Sequence, residues 1–358
     1  MSVLANEVIP KTQTAAVIPA PGADLEVRTS HPVRQPSELK PGECLVKLSH
    51  TGVCHTDLHA KQGDWPVKPT HPLVGGHEGV GTIVAIGEHT VGSPVGLGDR
   101  VGIKWLANSC LDCEFCRRGY EMNCPTCKLS GYNTDGTFQQ YVVSFVHHVT
   151  PIPKSLDSAG AASICCAGVT VYKALKVSGT KAGDWIAIPG AGGGLGHLAI
   201  QYAEAMGLNV IAIDTGAAKK ELCLELGAKA WIDFKETKDL VGDIKKASGG
   251  LGPQAALVAA AHSSAYSQAV DYLKESGTLV VVGMPTESIG ATAFWVVYKS
   301  IRVQGSYVGN RQDAIEALQL AADGKVKVKF ETKPLTALKD TFEEMEEGKI
   351  AGRIVLAL

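Results

Sequence analysis

The chain has 358 residues and a mass of 37.6 kDa, which is more than one hydrophobic core usually holds and predicts two domains. Its hydrophobic content of 45 % and charged content of 20 % are ordinary for a soluble globular protein. A formal net charge of −2, with 34 basic residues spread along the chain, excludes an evident basic surface for nucleic acid or an anionic membrane. The expected partners are therefore small molecules or further copies of the chain.

The first residues, MSVLANEVIPKTQTAAVIPA, lack a basic region followed by an apolar core, contain Glu7 and lack arginine. They predict neither a signal peptide nor a transit peptide, so we expect a cytoplasmic location. In a reducing compartment the ten cysteines are not expected to form disulfides, which directs attention to metal binding. An uncharged window from Trp185 to Ala203 has the length of a membrane span, but its glycines, Pro189 and His197 indicate another role.

The predicted elements change character along the chain. Between residues 15 and 150, short β-type runs such as ECLVKLSH and VGTIVAIG alternate with turn signals, so this part is predicted to be mostly β. From about Ser178, the strand-like runs WIAIPG, NVIAID, AWIDF, AALVAA and TLVVVGMP follow, with helical segments between the first of them. This alternation predicts a parallel sheet wound by right-handed crossovers, with IRVQGSYVG as its last strand. Residues 311–358 predict the helix QDAIEALQLAADG, a short acidic helix FEEMEEG and the strand GRIVLAL.

A glycine-rich loop lies between the first of these strands and its helix, in IAIPGAGGGLGHLAIQ. Glycines there allow a tight turn and a close approach of backbone N–H groups to a pyrophosphate. If Gly196 is the third glycine of a GxGxxG motif, Gly193 is the second, and Ala191 stands at the position of the first. The loop therefore departs from strict GxGxxG. The residues predicted to contact a dinucleotide are Gly190, Gly192, Gly193, Gly194, Leu195 and Gly196.

Asp214 ends the next apolar strand, where an acidic residue would hold a ribose 2′-hydroxyl. This position argues against the alternative of a glycine-rich turn without a ligand. The same carboxylate would repel a 2′-phosphate, so the sequence favours NAD over NADP. Lys219 and Lys220 follow closely and leave NADP as the alternative.

The stretch SCLDCEFCRRGYEMNCPTC contains Cys110, Cys113, Cys116 and Cys124 in the pattern C-x2-C-x2-C-x7-C. Such spacing lets thiolates converge on one ion, and four thiolates suit tetrahedral zinc. An iron–sulfur run is the rival interpretation, but it has three residues before its last cysteine where this chain has seven. Four protein ligands leave no open position, so the predicted zinc is structural.

A second set of metal-type residues is scattered over GVCHTDLHA, GGHEGVG and SICCAGVTVY. Taken one at a time, Cys54 or Cys166 could be a small core residue, and a lone histidine such as His77 a satisfied polar group. Composition and spacing alone leave this set undecided.

Several segments together match one family in its order: GVCHTDLHA with GDWP, PLVGGHEGVG, GIKWL, the four-cysteine lobe, CAGVTVYKAL, LVVVGMP and GSYVGNR. Through them residues 45–358 resemble the zinc-dependent alcohol dehydrogenases of the medium-chain dehydrogenase/reductase superfamily, most of all the tetrameric yeast form. The resemblance implies an α/β protein with a GroES-like β-rich catalytic domain, residues 1–167 and 309–358, carrying a structural zinc lobe at 109–127. A Rossmann coenzyme domain is implied at 168–308, with NAD, two zinc ions per chain and a homotetramer.

The same resemblance implies that Cys54, His77 and Cys166 bind the catalytic zinc and leave a fourth place open. Cys166 is preferred because it precedes AGVTVY, with Cys165 as the alternative ligand. Cys127 is interpreted as a bystander of the lobe, with exchange against Cys124 as the alternative.

Further roles are implied by position in the family's motifs. Glu78 matches a glutamate beside the metal and Asp57 the residue that orients the ligand imidazole. The proton is expected to pass from Thr56 through the ribose to His59. Coenzyme contacts are implied for His55, Lys219, Val282, Met284 and Arg353.

Trp65 and Trp105 match the pair that narrows the yeast pocket to small primary alcohols, and Met284 matches the pocket methionine; simple core packing is the alternative for all three. The predicted function is reversible hydride transfer between an ethanol-like primary alcohol or aldehyde and NAD. Lys61-Gln62 and HSSAYS at 262–267 depart from the yeast form, so a different primary alcohol or aldehyde, in a specialised fungal pathway, is the alternative.

The sequence argues against two other classes of protein. A superfamily member without catalytic zinc, reducing enones or quinones, is opposed by the joint presence of Cys54, His77 and Cys166. A non-enzymatic zinc-lobe protein that binds nucleic acid or a partner would need a basic surface, which the composition does not offer.

Overall fold

The computed structural model describes residues 2–5, 7–260, 262–285, 287–350 and 352–358. The strands of the described residues are β1 Ser2–Val3, β2 Thr12–Ile18, β3 Glu26–Pro32, β4 Glu43–Val53, β5 Leu73–Val74, β6 Gly79–Ile86, β7 Arg100–Ile103, β8 Leu106–Asn108, β9 Lys128–Leu129, β10 Tyr141–Phe145, β11 Thr150–Pro151, β12 Trp185–Pro189, β13 Asn209–Asp214, β14 Ala230–Asp233, β15 Ala255–Val258, β16 Thr278–Val281, β17 Arg302–Gly305, β18 Phe330–Pro334 and β19 Arg353–Ala357. The α-helices are α1 His55–Gln62, α2 Glu114–Arg117, α3 Ser158–Ser163, α4 Val169–Val177, α5 Gly196–Ala205, α6 Ala217–Glu225, α7 Leu240–Ala247, α8 Ser264–Tyr272, α9 Ala293–Tyr298, α10 Arg311–Ala322 and α11 Leu338–Glu346.

The chain forms two compact units. Unit 1 comprises Met1–Cys166, Asn310–Leu318 and Val328–Leu358, and unit 2 comprises Ala167–Gly309 and Gln319–Lys327. Both ends of the chain therefore belong to unit 1. The domain limits expected from the sequence stay a prediction.

Unit 1 is built on a mixed eight-stranded sheet in the order β11-β7-β6-β4-β19-β18, with β1 beside β6 and β10 beside β4. The eleven-residue β4 pairs with β6 along one edge, and along its other edge it pairs first with β10 and then with β19. Its apolar side chains pack with those of β6, β7 and β10 in a core that includes Val46, Ile83, Val101 and Val142. Burial of this apolar surface stabilises the sheet that carries the metal-type residues.

The register of β4 against β6 brings two distant sequence motifs together. Thr51 lies opposite Gly79 in this antiparallel pair. The residue after the end of β4 is Cys54, and the residues before the start of β6 are His77 and Glu78. Antiparallel pairing therefore places these motifs at one end of the same ladder.

Unit 2 holds a six-stranded, wholly parallel sheet in the order β14-β13-β12-β15-β16-β17. Counted from β12 this is the 3-2-1-4-5-6 order of the Rossmann fold. The central strands are buried, as parallel strands covered on both faces must be, with Ala187, Ile211, Val258 and Leu279 in one core. The predicted fold class is confirmed.

Some predicted segments have a different extent in the structure. Of IRVQGSYVG, only the part in β17 is strand, and the first five residues of FEEMEEG are the last five of α11, which begins at Leu338. The window Trp185–Ala203 forms β12, the glycine loop and most of α5. Among the described residues, one helical run, Ser158–Val177, is long and apolar enough to cross a membrane by composition, but 83 % of its apolar window is buried inside the protein, as in a core helix.

Candidate metal and coenzyme sites

Four metal-type side chains meet in unit 1. The ligand atoms of Cys54, His77, Glu78 and Cys166 all lie within 4.8 Å of one another. Cys54 is the residue that precedes α1, and Cys166 lies in the π-helical turn Ile164–Gly168 between α3 and α4. The neighbouring Cys165 is buried but is outside this group, and its sulfur lies against Gly102.

Asp57 fixes the orientation of the histidine in this group. Its buried carboxylate lies 2.8 Å from His77 Nδ1 and accepts the Cys54 backbone N–H at 2.9 Å. Because a carboxylate only accepts, Nδ1 carries the proton in this contact and Nε2 is left facing Cys166 Sγ at 3.1 Å. Burial opposes a charged ring, but Asp57 and Cys54 raise the pKa of His77 well above its usual value.

The two thiols of the group differ in their affinity for a proton. A hydrogen bond from Cys166 lowers the pKa of Cys54 well below the usual thiol value, and the same contact raises the pKa of Cys166. The negative charge is therefore concentrated on Cys54, at the start of a helix, where a thiolate is favoured. Two sulfurs and one imidazole nitrogen form a donor set that suits zinc.

Glu78 is fully buried and forms an ion pair with Arg353. Burial raises the pKa of the Glu78 carboxyl to about 7, although Arg353 opposes this shift. Its Oε2 has no hydrogen-bond partner, and neither has Nε of Arg353. A buried carboxylate oxygen without a hydrogen-bond partner, beside two sulfurs and an imidazole, is able to approach a cation, so the residues present fit a bound zinc.

Aromatic rings lie beside this group. Trp105 is buried and meets the His77 ring edge to face, with 5.2 Å between centroids. Trp65 lies 6.4 Å from Trp105, and both indoles contact Tyr132 at 5.9 Å and 5.2 Å. The structure thus places both predicted pocket tryptophans near the metal group, together with Tyr132, which sequence reasoning missed.

The predicted proton-transfer residues lie on α1. His55 is its first residue and is exposed, Thr56 is half-buried, and His59 lies three residues after Thr56. His59 Nδ1 lies 3.0 Å from each carboxylate oxygen of Asp64, and its ring stacks on Trp65 at 4.9 Å. Asp64 was not singled out from the sequence; the available signal was an acidic residue directly after the glycine that ends the helix.

The four predicted lobe cysteines form a second group. The sulfurs of Cys110, Cys113, Cys116 and Cys124 lie within 4.8 Å of one another, and Cys127 is not part of the group. The backbone N–H groups of Cys110 and Cys113 donate to sulfurs at 3.4 Å and 3.2 Å. Burial opposes the thiolate of Cys124, but hydrogen bonds from Cys110 and Thr126 lower its pKa to about 6. Four converging sulfurs with thiolate character suit a structural zinc.

The lobe is attached to the start of α10. Arg311 Nε donates to the Glu121 carboxylate at 2.8 Å, and Asn310 Nδ2 donates to the Gly119 carbonyl at 3.1 Å. Glu121 is nearly fully buried, so its charge needs this partner. These contacts connect the lobe with the segment where the chain returns from unit 2 to unit 1.

In unit 2 the glycine loop joins β12 to α5 at the carboxyl edge of the parallel sheet. A Cβ at Gly196 would overlap the Gly190 carbonyl and the Ala191 backbone, so only glycine permits this close approach. Gly192 donates its N–H to the Asp214 carboxylate at 2.9 Å. The loop and the acidic end of β13 are thus held together, as the dinucleotide interpretation requires.

Asp214 is also paired with Lys219, whose Nζ lies 2.9 Å from Oδ1. Asp214 is buried and the lysine side chain is half-exposed. Val282 follows β16 and is buried, whereas Met284 is 56 % exposed in unit 2. The predicted role of Met284 in a substrate pocket stays a prediction.

Comparisons with known proteins agree with this arrangement. A family model described as alcohol dehydrogenase GroES-like domain matches residues 40–154, and one described as zinc-binding dehydrogenase matches residues 194–323. Alcohol dehydrogenase 1 of Neurospora crassa is 49 % identical over 350 residues, which cover 97 % of this chain and 98 % of that protein.

Two solved structures show the same fold over nearly the whole chain. The alcohol dehydrogenase of the archaeon Aeropyrum pernix is 30 % identical with a TM-score of 0.86, over 96 % of this chain and 100 % of that one. Acetophenone reductase from Geotrichum candidum, in complex with NAD, is 29 % identical with a TM-score of 0.85, over 98 % of this chain and 99 % of that one.

The chain therefore belongs to the zinc-binding alcohol dehydrogenase family. The family and the enzyme class predicted from the sequence are confirmed.

Proposed function

We propose that this enzyme transfers a hydride reversibly between a small primary alcohol and NAD, with an ethanol-sized substrate favoured. The observation that carries the proposal is the buried group of Cys54, His77 and Cys166, with Asp57 holding the imidazole and Trp105 against it. A different primary alcohol or aldehyde is the second candidate, because Lys61-Gln62 depart from the yeast pattern directly before GDWP.

In this proposal Cys54, His77 and Cys166 hold a catalytic zinc, and the four lobe cysteines hold a structural one. When bound, zinc supplies a Lewis acid for the alcohol oxygen and NAD supplies the hydride acceptor. Glu78 and Arg353 contribute a buried pair beside the ligands. The asymmetry between the two thiols favours Cys54 as the sulfur that is ready to bind without first losing a proton.

The chain's own residues would remove the alcohol proton. We assign Thr56 as the hydroxyl that receives it and His59 as the imidazole that passes it to solvent. Both lie on α1, and His59 keeps about a quarter of its side chain exposed, which gives it contact with water. Proton transfer of this kind suits histidine because its usual pKa lies close to neutrality.

Two indoles account for the preference for small alcohols. Trp105 is buried and Trp65 is half-buried next to it. Their packing with Tyr132 fixes both rings, so they present a rigid wall rather than one that yields to a larger substrate. The coenzyme in this proposal binds at the loop Gly190–Gly196, with Asp214 accepting from the ribose.

The apolar surface of unit 2 supports assembly into a homotetramer. On the short helix α9, Phe294, Trp295, Val297 and Tyr298 are all exposed, by 43–76 %. The neighbouring β17 is the last strand of its sheet and exposes Val303. An open strand edge beside an aromatic helix is a surface that a second copy can cover by two-fold symmetry. A cytoplasmic location is proposed with it, because ten free thiols are suited to a reducing compartment.

The test is ethanol-dependent NADH formation by the purified protein. Wild type is expected to reduce NAD with ethanol, and Cys54→Ala is expected to lose this activity by at least about 1,000-fold because the metal loses a ligand. The control is Cys127→Ala, which removes a cysteine outside both groups and should leave turnover within about 2-fold. Full activity of Cys54→Ala would refute the proposed role of this group.

A further inference from the structure

The residues directly after α1 hold the His59 ring from two sides. Gly63 ends the helix in the left-handed conformation, with φ of 65°, and its N–H donates to the His59 carbonyl at 2.8 Å. This conformation, which glycine adopts at little cost, reverses the chain so that the next residue returns toward the last turn of the helix. As a result Asp64 meets the edge of the imidazole and Trp65 meets its face.

The contact with Asp64 defines which nitrogen carries a proton. Both carboxylate oxygens lie 3.0 Å from His59 Nδ1. A carboxylate only accepts, so Nδ1 donates to it, and in the neutral ring Nε2 is the free acceptor. The stacked Trp65 ring, at 4.9 Å and 25°, restricts rotation of the imidazole out of this plane.

We propose that Asp64 is a positioning residue for proton transfer, which holds His59 in the Nδ1-protonated form with Nε2 free to receive the alcohol proton. The inference rests on the proposed function, since it assumes that His59 accepts this proton. Asp64 itself touches neither substrate nor coenzyme in this account and acts only through the imidazole.

The arrangement repeats the contact made at the metal group. Asp57 holds His77 through Nδ1 and leaves Nε2 toward the sulfurs, and Asp64 holds His59 in the same sense. The two histidines are connected by rings, because Trp65 stacks on His59 and contacts Trp105, which meets His77. Displacement of His59 would therefore remove a packing partner of the same indole that lines the proposed pocket.

The contact between Asp64 and His59 is expected to contribute little to the stability of the fold. The side chains of His59 and Asp64 are 25 % and 41 % exposed, so solvent screens their attraction and the pair adds little to stability. Its effect is expected in the orientation and tautomer of the ring instead. Loss of the partner that orients a metal-bound histidine typically lowers activity about 10- to 100-fold, and we expect the lower end of this range for His59, which is not a metal ligand in this account.

The test is a double-mutant cycle with the intact enzyme. Asp64→Ala is expected to lower kcat for ethanol oxidation about 10-fold with KM for NAD unchanged, and Asp64→Glu to recover most of it. In a His59→Gln background, Asp64→Ala should cause no further loss. In the control, Asp24→Asn removes the charge of a different exposed carboxylate, which pairs with Lys339, and this change should leave kcat unaltered.

Four results would overturn the inference or its basis. Unchanged kcat in Asp64→Ala contradicts it, and so does an equal loss in the wild-type and His59→Gln backgrounds, which would mean that Asp64 does not act through His59. A wild-type enzyme without alcohol-dependent NADH formation would instead refute the proposed function. In that case ¹⁵N NMR of labelled histidine still tests the effect of Asp64 on the His59 tautomer. The Nδ1-protonated form of His59 should predominate in wild type and be lost in Asp64→Ala. Its persistence in Asp64→Ala would contradict the inference.

Discussion

Single carboxylates decide what several neighbouring groups of this enzyme can do. Asp57 fixes the proton on one nitrogen of His77 and also binds the Cys54 backbone, so one side chain orients two proposed ligands. Asp214 likewise joins the glycine loop to the end of β13 and holds Lys219. The family resemblance already implies the contact of Asp57 with the imidazole, whereas its contact with the Cys54 backbone and that of Asp214 with Gly192 become evident only in the folded chain.

The choice between NAD and NADP is expected to depend on Asp214. Asp214→Asn removes the charge that repels a 2′-phosphate and weakens the hold on Lys219, which then becomes free to bind that phosphate. We expect the ratio of kcat/KM for NAD to that for NADP to fall about 10- to 100-fold, the equivalent of one charged hydrogen bond.

The matched control for this prediction is Asp233→Asn. Asp233 ends β14 as Asp214 ends β13, and it accepts the Gly216 N–H at 3.0 Å without contacting the glycine loop. Its substitution should leave the coenzyme ratio unchanged. An Asp214→Asn enzyme with the wild-type ratio would show that another residue selects the coenzyme.

At the scale of elements, much of this structure could be predicted from the sequence. The alternation of strands and helices after Ser178 predicts the parallel sheet, because a parallel strand pair needs a crossover. The four lobe cysteines are close in sequence, so their spacing alone indicates convergence. Cys54, His77 and Cys166 could be grouped only through the family resemblance, because their meeting depends on the register of β4 against β6 and on the turn after α3.

Other features could not be predicted because they depend on side-chain placement. The contact of Asp64 with His59 requires the chain reversal at Gly63, and the spacing of five residues does not specify it. The sequence AFWVVY of α9 is typical of a buried element, yet its aromatic side chains are exposed in the single chain. Whether a partner covers such a surface is not encoded in a local pattern.

The element α9 gives a direct test of assembly. Val297→Asp places a charge in the middle of its exposed apolar surface and should reduce the tetramer to a smaller species, since burying an unpaired charge opposes association. Analytical ultracentrifugation of the intact enzyme measures this mass. Val91→Asp is the control, because Val91 is 84 % exposed in unit 1 and its substitution should not change the mass. A wild-type monomer, or an unaltered tetramer in Val297→Asp, would contradict the proposed interface.

Across the whole molecule, the two candidate metal groups have different designs within the same unit. The four cysteines of the lobe come from one short stretch of sequence. The lobe also forms hydrogen bonds with Asn310 and Arg311, at the point where the chain re-enters unit 1. The other group brings together three candidate ligands from distant segments, and one of them, His77, contacts Trp105. Four sulfurs complete a coordination shell, whereas two sulfurs and one nitrogen leave room for a substrate oxygen, so only the second arrangement suits catalysis.

Zinc content measured on matched cysteine variants tests this account most directly. Wild type should contain two zinc ions per chain; Cys166→Ala should keep one and lose ethanol turnover, and Cys165→Ala should keep two with activity within about 3-fold. The comparison is sharp because the two cysteines are adjacent and buried, and only Cys166 lies in the group with Cys54 and His77. One zinc ion per wild-type chain with full turnover, or two ions with full turnover in Cys166→Ala, would contradict the account.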